Sequence, residues 1–197
     1  MVGMQKLIYT LVVLTFSIIN AEEQFNGFAS EKQQRFYETL LHEACTNVKT
    51  PMHKCQNIRA ETLKVVGVVA STNHETKTVI INKFWLRYLT YGQLRATLHH
   101  EAVHLNQVDS LELYIAQHMD PCVSRLQELH SAMETEADTI GLPACKCSKC
   151  VYELLRLSPD KPSSGYLDTE QRRAIADKLY AKRLLCEYHS SWWRVLY

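Results

Sequence analysis

QLRATLHHEAVHLNQ, residues 93–107, is the stretch that decides how the rest of the chain is read. Leu94, Leu98, Ala102 and Leu105 recur at three- and four-residue steps, the period of one helix face. Thr90 and Gln93 satisfy the capping-box pattern just ahead of them, so the spacing predicts a helix that opens at Tyr91-Gly92. On that helix His100 and His104 lie one turn apart, and two imidazoles so placed can reach a single Zn²⁺. Glu101 follows the first of them, where it can lean over an open coordination position and take a proton from metal-bound water. Ala102 and Val103 fill the two variable positions with neither charge nor helix breaker. The competing reading is a pair of histidines on an amphipathic surface with no metal.

A catalytic zinc needs a third protein ligand and one position left for water. A third histidine at the metzincin spacing would fall at 110, after a glycine at 107, but these positions hold Ser110 and Gln107, so the ligand must come from elsewhere. A second helix is predicted from Asp120 as N-cap and Pro121 as first helical residue. It runs through Val123, Leu126, Met133, Ala137 and Ile140 to a stop at Gly141-Leu142-Pro143. Glu134 and Asp138 sit one turn apart on it, with small Ala137 between them to let the helix approach its neighbour. Glu134 is the candidate zinc ligand, and Asp138 the carboxylate that fixes the ring of a ligating histidine. Glu136 falls about 200° around the helix from Glu134 and reads as solvated. His99, about 100° from the metal face, reads as a bystander. Taken alone, the acidic pair would be an exposed face; the upstream His-Glu-x-x-His pattern reverses that preference.

Outward from these two helices the signals are coarser. Phe36, Leu40, Leu41, Ala44 and Val48 predict an amphipathic helix from Ser30 to Val48, with Pro51 beyond its end. Two β-branched runs, LKVVGVVA (63–70) and TVIIN (78–82), flank the polar segment STNHETK (71–77) and predict a hairpin. A short helix is expected at VYELLRL (151–157), then a Pro/Ser/Gly stretch from Ser158 to Gly165, then a last helix from about Asp168 to Glu187 capped by Asp168 or Thr169. The fold class expected is α+β: a mostly helical, zincin-like domain with a small sheet packed against the motif helix. Trp192 and Trp193 read as core anchors.

The 197 residues, 46% of them hydrophobic, suffice for one domain with a core. Met1–Lys6 followed by apolar Leu7–Ile19 and then Asn20-Ala21 reads as a secretory signal peptide (1–21), leaving 22–197 as a single domain. The apolar run is short for a membrane-spanning helix, so the expectation is a secreted or periplasmic chain with no stable membrane insertion; an uncleaved anchor is the alternative. Lys and Arg number 22 against 21 for Asp and Glu, which offers no basic field for nucleic acid. Seven cysteines in an exported chain point to disulfides, and Cys45 and Cys55 are natural partners across the turn at Pro51. Cys145-x-Cys147-x-x-Cys150 reads either as ligands of a second, structural zinc, closed by Cys122 or a histidine, or as the hub of two disulfides. Export favours the second and the tight spacing the first.

HHEAVH on a helix, preceded by a hairpin strand and followed by METEADTIGL, resembles the gluzincin peptidases of the HtpX, Oma-type and CaaX-prenyl-protease family, whose motifs are H-E-x-x-H and a later E-x-x-A-D. The resemblance spans about Thr62 to Leu142. It implies Glu134 as third zinc ligand, Asp138 as the motif aspartate, and a minimal soluble version of the catalytic domain, since many members carry several membrane helices. The His-Pro segment that often follows the family's core is not evident here; the nearest stretch is Ser163–Leu167. The activity implied is zinc-dependent endopeptidase hydrolysis of a peptide or unfolded protein, with Glu101 as general base and the substrate added as a strand along TVIIN. For the oxyanion partner Tyr166, Arg172 and His189 are chemically eligible and none is assigned. Two rivals stand: a catalytically silent zinc-binding protein of the same shape, and a disulfide-stapled interaction protein in which the motif is accidental.

Overall fold

The computed structural model describes residues 31–61, 68–73, 75–86, 88–107, 123–157 and 165–186. The proposed leader, Ser30, most of the first β-branched run, Ser110, Asp120, Pro121, Cys122, His189, Trp192 and Trp193 lie outside them. The described chain is α+β, mostly helical with one small mixed sheet. Its helices are α1 (31–48), the four-residue α2 (Lys83–Leu86), α3 (Tyr91–Gln107), α4 (Val123–Ala144), α5 (Ser148–Leu155) and α6 (Thr169–Ala181). Its strands are β1 (Asn57–Glu61), β2 (Ala70–Asn73) and β3 (Thr78–Asn82). Among the described residues no helix is long and apolar enough to cross a membrane.

The sheet differs from the predicted hairpin in an instructive way. β2 and β3 are antiparallel as expected, but the pairing runs Ala70↔Ile81 to Asn73↔Thr78, so the strand extends into the polar segment read as the turn. The reversal is confined to the residues after it, closed by Thr76 N donating to Asn73 Oδ1 (2.9 Å) and by Lys77 in the left-handed region (φ 50°). Polar Ser71, Thr72 and Asn73 are tolerated because β2 is an edge strand and half-buried throughout. β1, which carries no clear alternation, joins in parallel along the other side of β3, from Asn57↔Thr78 to Glu61↔Asn82. β3 is therefore the central strand, buried at all five positions. This overturns the expectation that a substrate could add along TVIIN, because both of its edges are already paired.

α3 runs through the middle of the molecule. The capping box is present, with Thr90 N donating to Gln93 Oε1 (2.9 Å) and Gln93 N to Thr90 Oγ1 (3.2 Å). Every residue from Tyr91 to Leu105 is buried, so the predicted apolar stripe is one side of a helix covered all round. Leu94, Leu98, Ala102 and Leu105 join Leu41, Ala44, Val79, Ile81, Leu142 and Val151 in the core. α1 is stapled by the Cys45–Cys55 disulfide, as the spacing predicted. The loop so closed carries Thr50, whose hydroxyl donates to Ala102 O (2.7 Å) at the centre of the motif helix.

α4 does not stop at Gly141. It continues through Leu142 and Pro143 to Ala144, and ends where Lys146 turns left-handed (φ 49°). Gly141 serves a different purpose: a Cβ there would lie 2.7 Å from His99 O and 3.0 Å from His100 Cα. The missing side chain is what lets α4 cross α3 at its first motif histidine, a role the sequence reading gave to Ala137, which is itself fully buried. α5 begins at Ser148, three residues earlier than predicted, and absorbs Cys150. α6 is capped by Asp168 in a full capping box with Gln171 but ends at Ala181, well short of Glu187, as Arg183 enters the left-handed region (φ 54°).

Candidate metal centre

The α3–α4 crossing sets His100, His104 and Glu134 together. His100 Nε2 lies 3.0 Å from Glu134 Oε2 and 3.0 Å from His104 Nε2, and His104 Nε2 lies 3.4 Å from Glu134 Oε2. All three residues are buried, and their ligand atoms form a group able to hold a metal ion. Ligands about 2.0–2.1 Å from a tetrahedral zinc stand about 3.3 Å apart, so the spacing suits such an ion.

The outer nitrogens show which face of each ring is free. His100 Nδ1 lies 3.0 Å from Asp138 Oδ1, and His104 Nδ1 lies 2.7 Å from Gln107 Oε1. Both partners accept, so each neutral imidazole carries its proton on Nδ1 and turns a lone pair on Nε2 inward. Two lone pairs and a carboxylate oxygen pointing at one spot repel each other unless a cation lies between them. In the metal-free chain a proton takes that place. Burial alone would depress His100, but its hydrogen bonds to Asp138 and Glu134 outweigh that and raise its pKa to about 9. His104 is raised too: burial opposes, and Glu134 and Glu101 prevail. Burial likewise works against the Glu134 carboxylate, yet the two imidazoles hold it far below the ordinary range.

Asp138, fully buried, is the pivot of the support. Its Oδ2 accepts from Leu167 N (3.0 Å), Arg172 Nε (2.9 Å) and Arg172 Nη2 (2.6 Å), while Oδ1 faces His100. Burial would raise its pKa; His100 and Arg172 reverse that and hold it lowered. Gln107 donates in turn to Glu136 Oε2 (2.7 Å) and Met133 O (3.3 Å). Glu136 is exposed as expected, but it also steadies the amide that orients His104. On the solvent side, His130 Nε2 stands 3.5 Å from Glu134 Oε1.

Glu101 is buried beside the two histidines, and Thr72 of β2 donates to its Oε2 (2.8 Å). Edge strand β2 thus runs against the motif helix on the side of the candidate base. Tyr166 covers His100, its ring stacked on the imidazole (centroids 5.7 Å apart, 19° between planes), with the Arg172 guanidinium 5.4 Å from its centroid. Burial, with Glu134 and Glu101 nearby, pushes its phenol well up. Gly165 (φ 112°) makes this possible, because a Cβ there would meet Ser131 Cα at 2.9 Å. Its carbonyl accepts from Thr135 Oγ1 (2.8 Å).

His99 is a bystander, as expected: fully buried, it lies 2.8 Å from Arg95 O through Nδ1 and 3.1 Å from Asn47 Nδ2 through Nε2. Burial, then Arg95, lowers its pKa to about 4. The cysteine reading needs correcting. The second group able to hold a metal is Cys147, Cys150 and Cys186, with Cys186 in place of Cys145, because Cys145 turns toward α3 and its sulfur accepts from Arg95 Nη1 at 2.9 Å. Thr72, Gln107 and the Leu167 amide carried no sequence signal; Tyr166 and Arg172 were eligible by chemistry and are placed here by the fold. No protein-family model and no curated protein matches the chain.

Proposed function

We propose that this chain is a zinc metalloendopeptidase of gluzincin type with a zincin-like fold, exported from the cell, with its metal on His100, His104 and Glu134 and with Glu101 as general base. The observation that carries the reading is the convergence of two Nε2 lone pairs and a carboxylate oxygen on one buried point, with both outer nitrogens already partnered. Bound there, zinc would supply a Lewis acid and a water acidified toward neutral pH. Glu101, next to the first ligand and oriented by Thr72, takes the proton of the attacking water and passes it to the departing amine nitrogen. Asp138 and Gln107 keep both ligating imidazoles in the tautomer that presents Nε2. The substrate backbone would lie alongside β2 (Ala70–Asn73), the edge strand among the described residues and the one bonded to Glu101, where main-chain hydrogen bonds bind a peptide or unfolded segment with little sequence preference. Tyr166, stacked on His100, would donate to the oxyanion.

The test compares the parent with Glu101→Gln for metal content and for cleavage of an unfolded protein substrate. Equal zinc in both with cleavage only by the parent is expected. Zinc in both without cleavage by either would leave a silent metal-binding protein, and no zinc in the parent would overturn the reading.

A further inference from the structure

Three sulfurs meet where the start of α5 packs against the segment after α6. Cys147 precedes the first residue of α5, Cys150 lies in its first turn, and Cys186 comes from the segment after α6. Cys147 Sγ and Cys186 Sγ are 3.1 Å apart, Cys150 Sγ and Cys186 Sγ 3.5 Å, and all three sulfurs fall within 4.8 Å of one another. Unlike Cys45 and Cys55, none of them is in a disulfide. A disulfide consumes sulfurs in pairs, whereas Cys186 stands close to two at once. Thiolates bound to zinc at about 2.3 Å lie about 3.8 Å apart, and an ion at the centre would hold three where a disulfide holds two.

Polar donors face the sulfurs. Cys186 N donates to Cys147 Sγ (3.3 Å), and buried Arg95 directs Nη1 at Cys145 Sγ (2.9 Å) and Cys150 Sγ (3.7 Å). Cys145 thereby stands next to the group as a fourth sulfur. The backbone is bent to bring these residues in: Lys146 between Cys145 and Cys147 and Arg183 ahead of Cys186 are both left-handed. Such conformations persist where their surroundings over-determine them. Ser148 N, donating to Leu184 O (3.2 Å), ties the same two segments a second time.

We propose that Cys147, Cys150 and Cys186 form a second metal site, a structural thiolate-held zinc that clamps the segment after α6 to the start of α5. Through these two elements it is linked to α3 and to Asp138. α5 presents Glu153, whose carboxylate accepts from the Thr90 hydroxyl and from Gly92 N (3.1 Å) at the start of α3. α6 carries Arg172, which holds Asp138.

The test uses cobalt(II) on the full chain purified without metal and without air. A thiolate-to-cobalt charge-transfer band, which histidine and carboxylate ligands do not produce, is expected in the parent. It should survive in His100→Ala/His104→Ala and disappear in Cys186→Ser together with one metal equivalent per chain. Because Cys186→Ser could fail to fold, X-ray absorption on the unsubstituted zinc-loaded chain gives an independent reading: a sulfur shell at about 2.3 Å supports the site. A zinc spectrum of nitrogen and oxygen scatterers alone would overturn it. So would peptide mapping that finds Cys147 and Cys186 joined as a disulfide in the natively purified chain.

Discussion

The two candidate centres both adjoin α3 and are assembled in opposite ways. The histidine centre takes its donors from two long helices in direct contact, where a one-turn repeat on α3 meets a one-turn repeat on α4 at Gly141. The cysteine centre gathers donors from a helix start and from a segment 36 residues further on, beyond another helix. Regular secondary structure specifies the first with few choices left over. The second depends on tertiary closure, so its geometry should be the one that gives way when the chain is stressed.

The largest effect that would sharpen this contrast is at Glu101. Glu101→Gln should lower kcat by about 10²–10⁴-fold, the usual worth of a general base, with metal uptake at both centres unchanged; steady-state kinetics and elemental analysis check it. Asp138→Asn should weaken zinc binding at the histidine centre by about 10–100-fold, as loss of a carboxylate behind a ligating imidazole does. Competition with a chelator would measure it, and an equal loss of thiolate-bound cobalt would show that the centres are not separate.

Acidity should separate them as well. In the metal-free chain the proton on His100 is held to about pH 9, above the ordinary value near 6.5. It stabilises the fold fully below that ordinary value, and this contribution is lost as pH rises through about 9. Zinc must displace the same proton, so affinity at this centre should rise with pH across that window and then level off. Calorimetry in buffers of different ionisation enthalpy should register proton release. A smaller effect is expected from Thr72→Val, which removes the hydroxyl that holds Glu101. A neutral donor to a carboxylate is worth about 1–2 kcal/mol, so kcat should fall by roughly 5–30-fold with KM and metal content unmoved. Loss of metal would reassign Thr72 to folding.

The motif helix, its capping box, the three histidine-centre candidates and Asp138 were legible because each signal is local and periodic. Four-residue spacing on a helix fixes which side chains share a face before any tertiary contact is known. The same logic failed at Gly141, where a residue that usually ends helices was kept inside one by the need for close contact with His99 and His100. It failed in the sheet, since strand order is a tertiary property: nothing in NIRAE announces that β1 will pair with β3 on the side away from β2 and leave β2 at the edge among the described residues. Cys186 was missed as partner to Cys147 and Cys150 for the same reason. Tyr166 and Arg172 carry no periodic signal that ties them to the motif helix, and only the fold brings them to His100 and Asp138.

Gly165 carries a consequence for engineering. The Thr135 bond to its carbonyl and the Leu167 bond to Asp138 fasten the backbone on both sides of Tyr166. Replacing Gly165 would unseat the Tyr166 ring through the backbone alone, with the tyrosine itself unsubstituted.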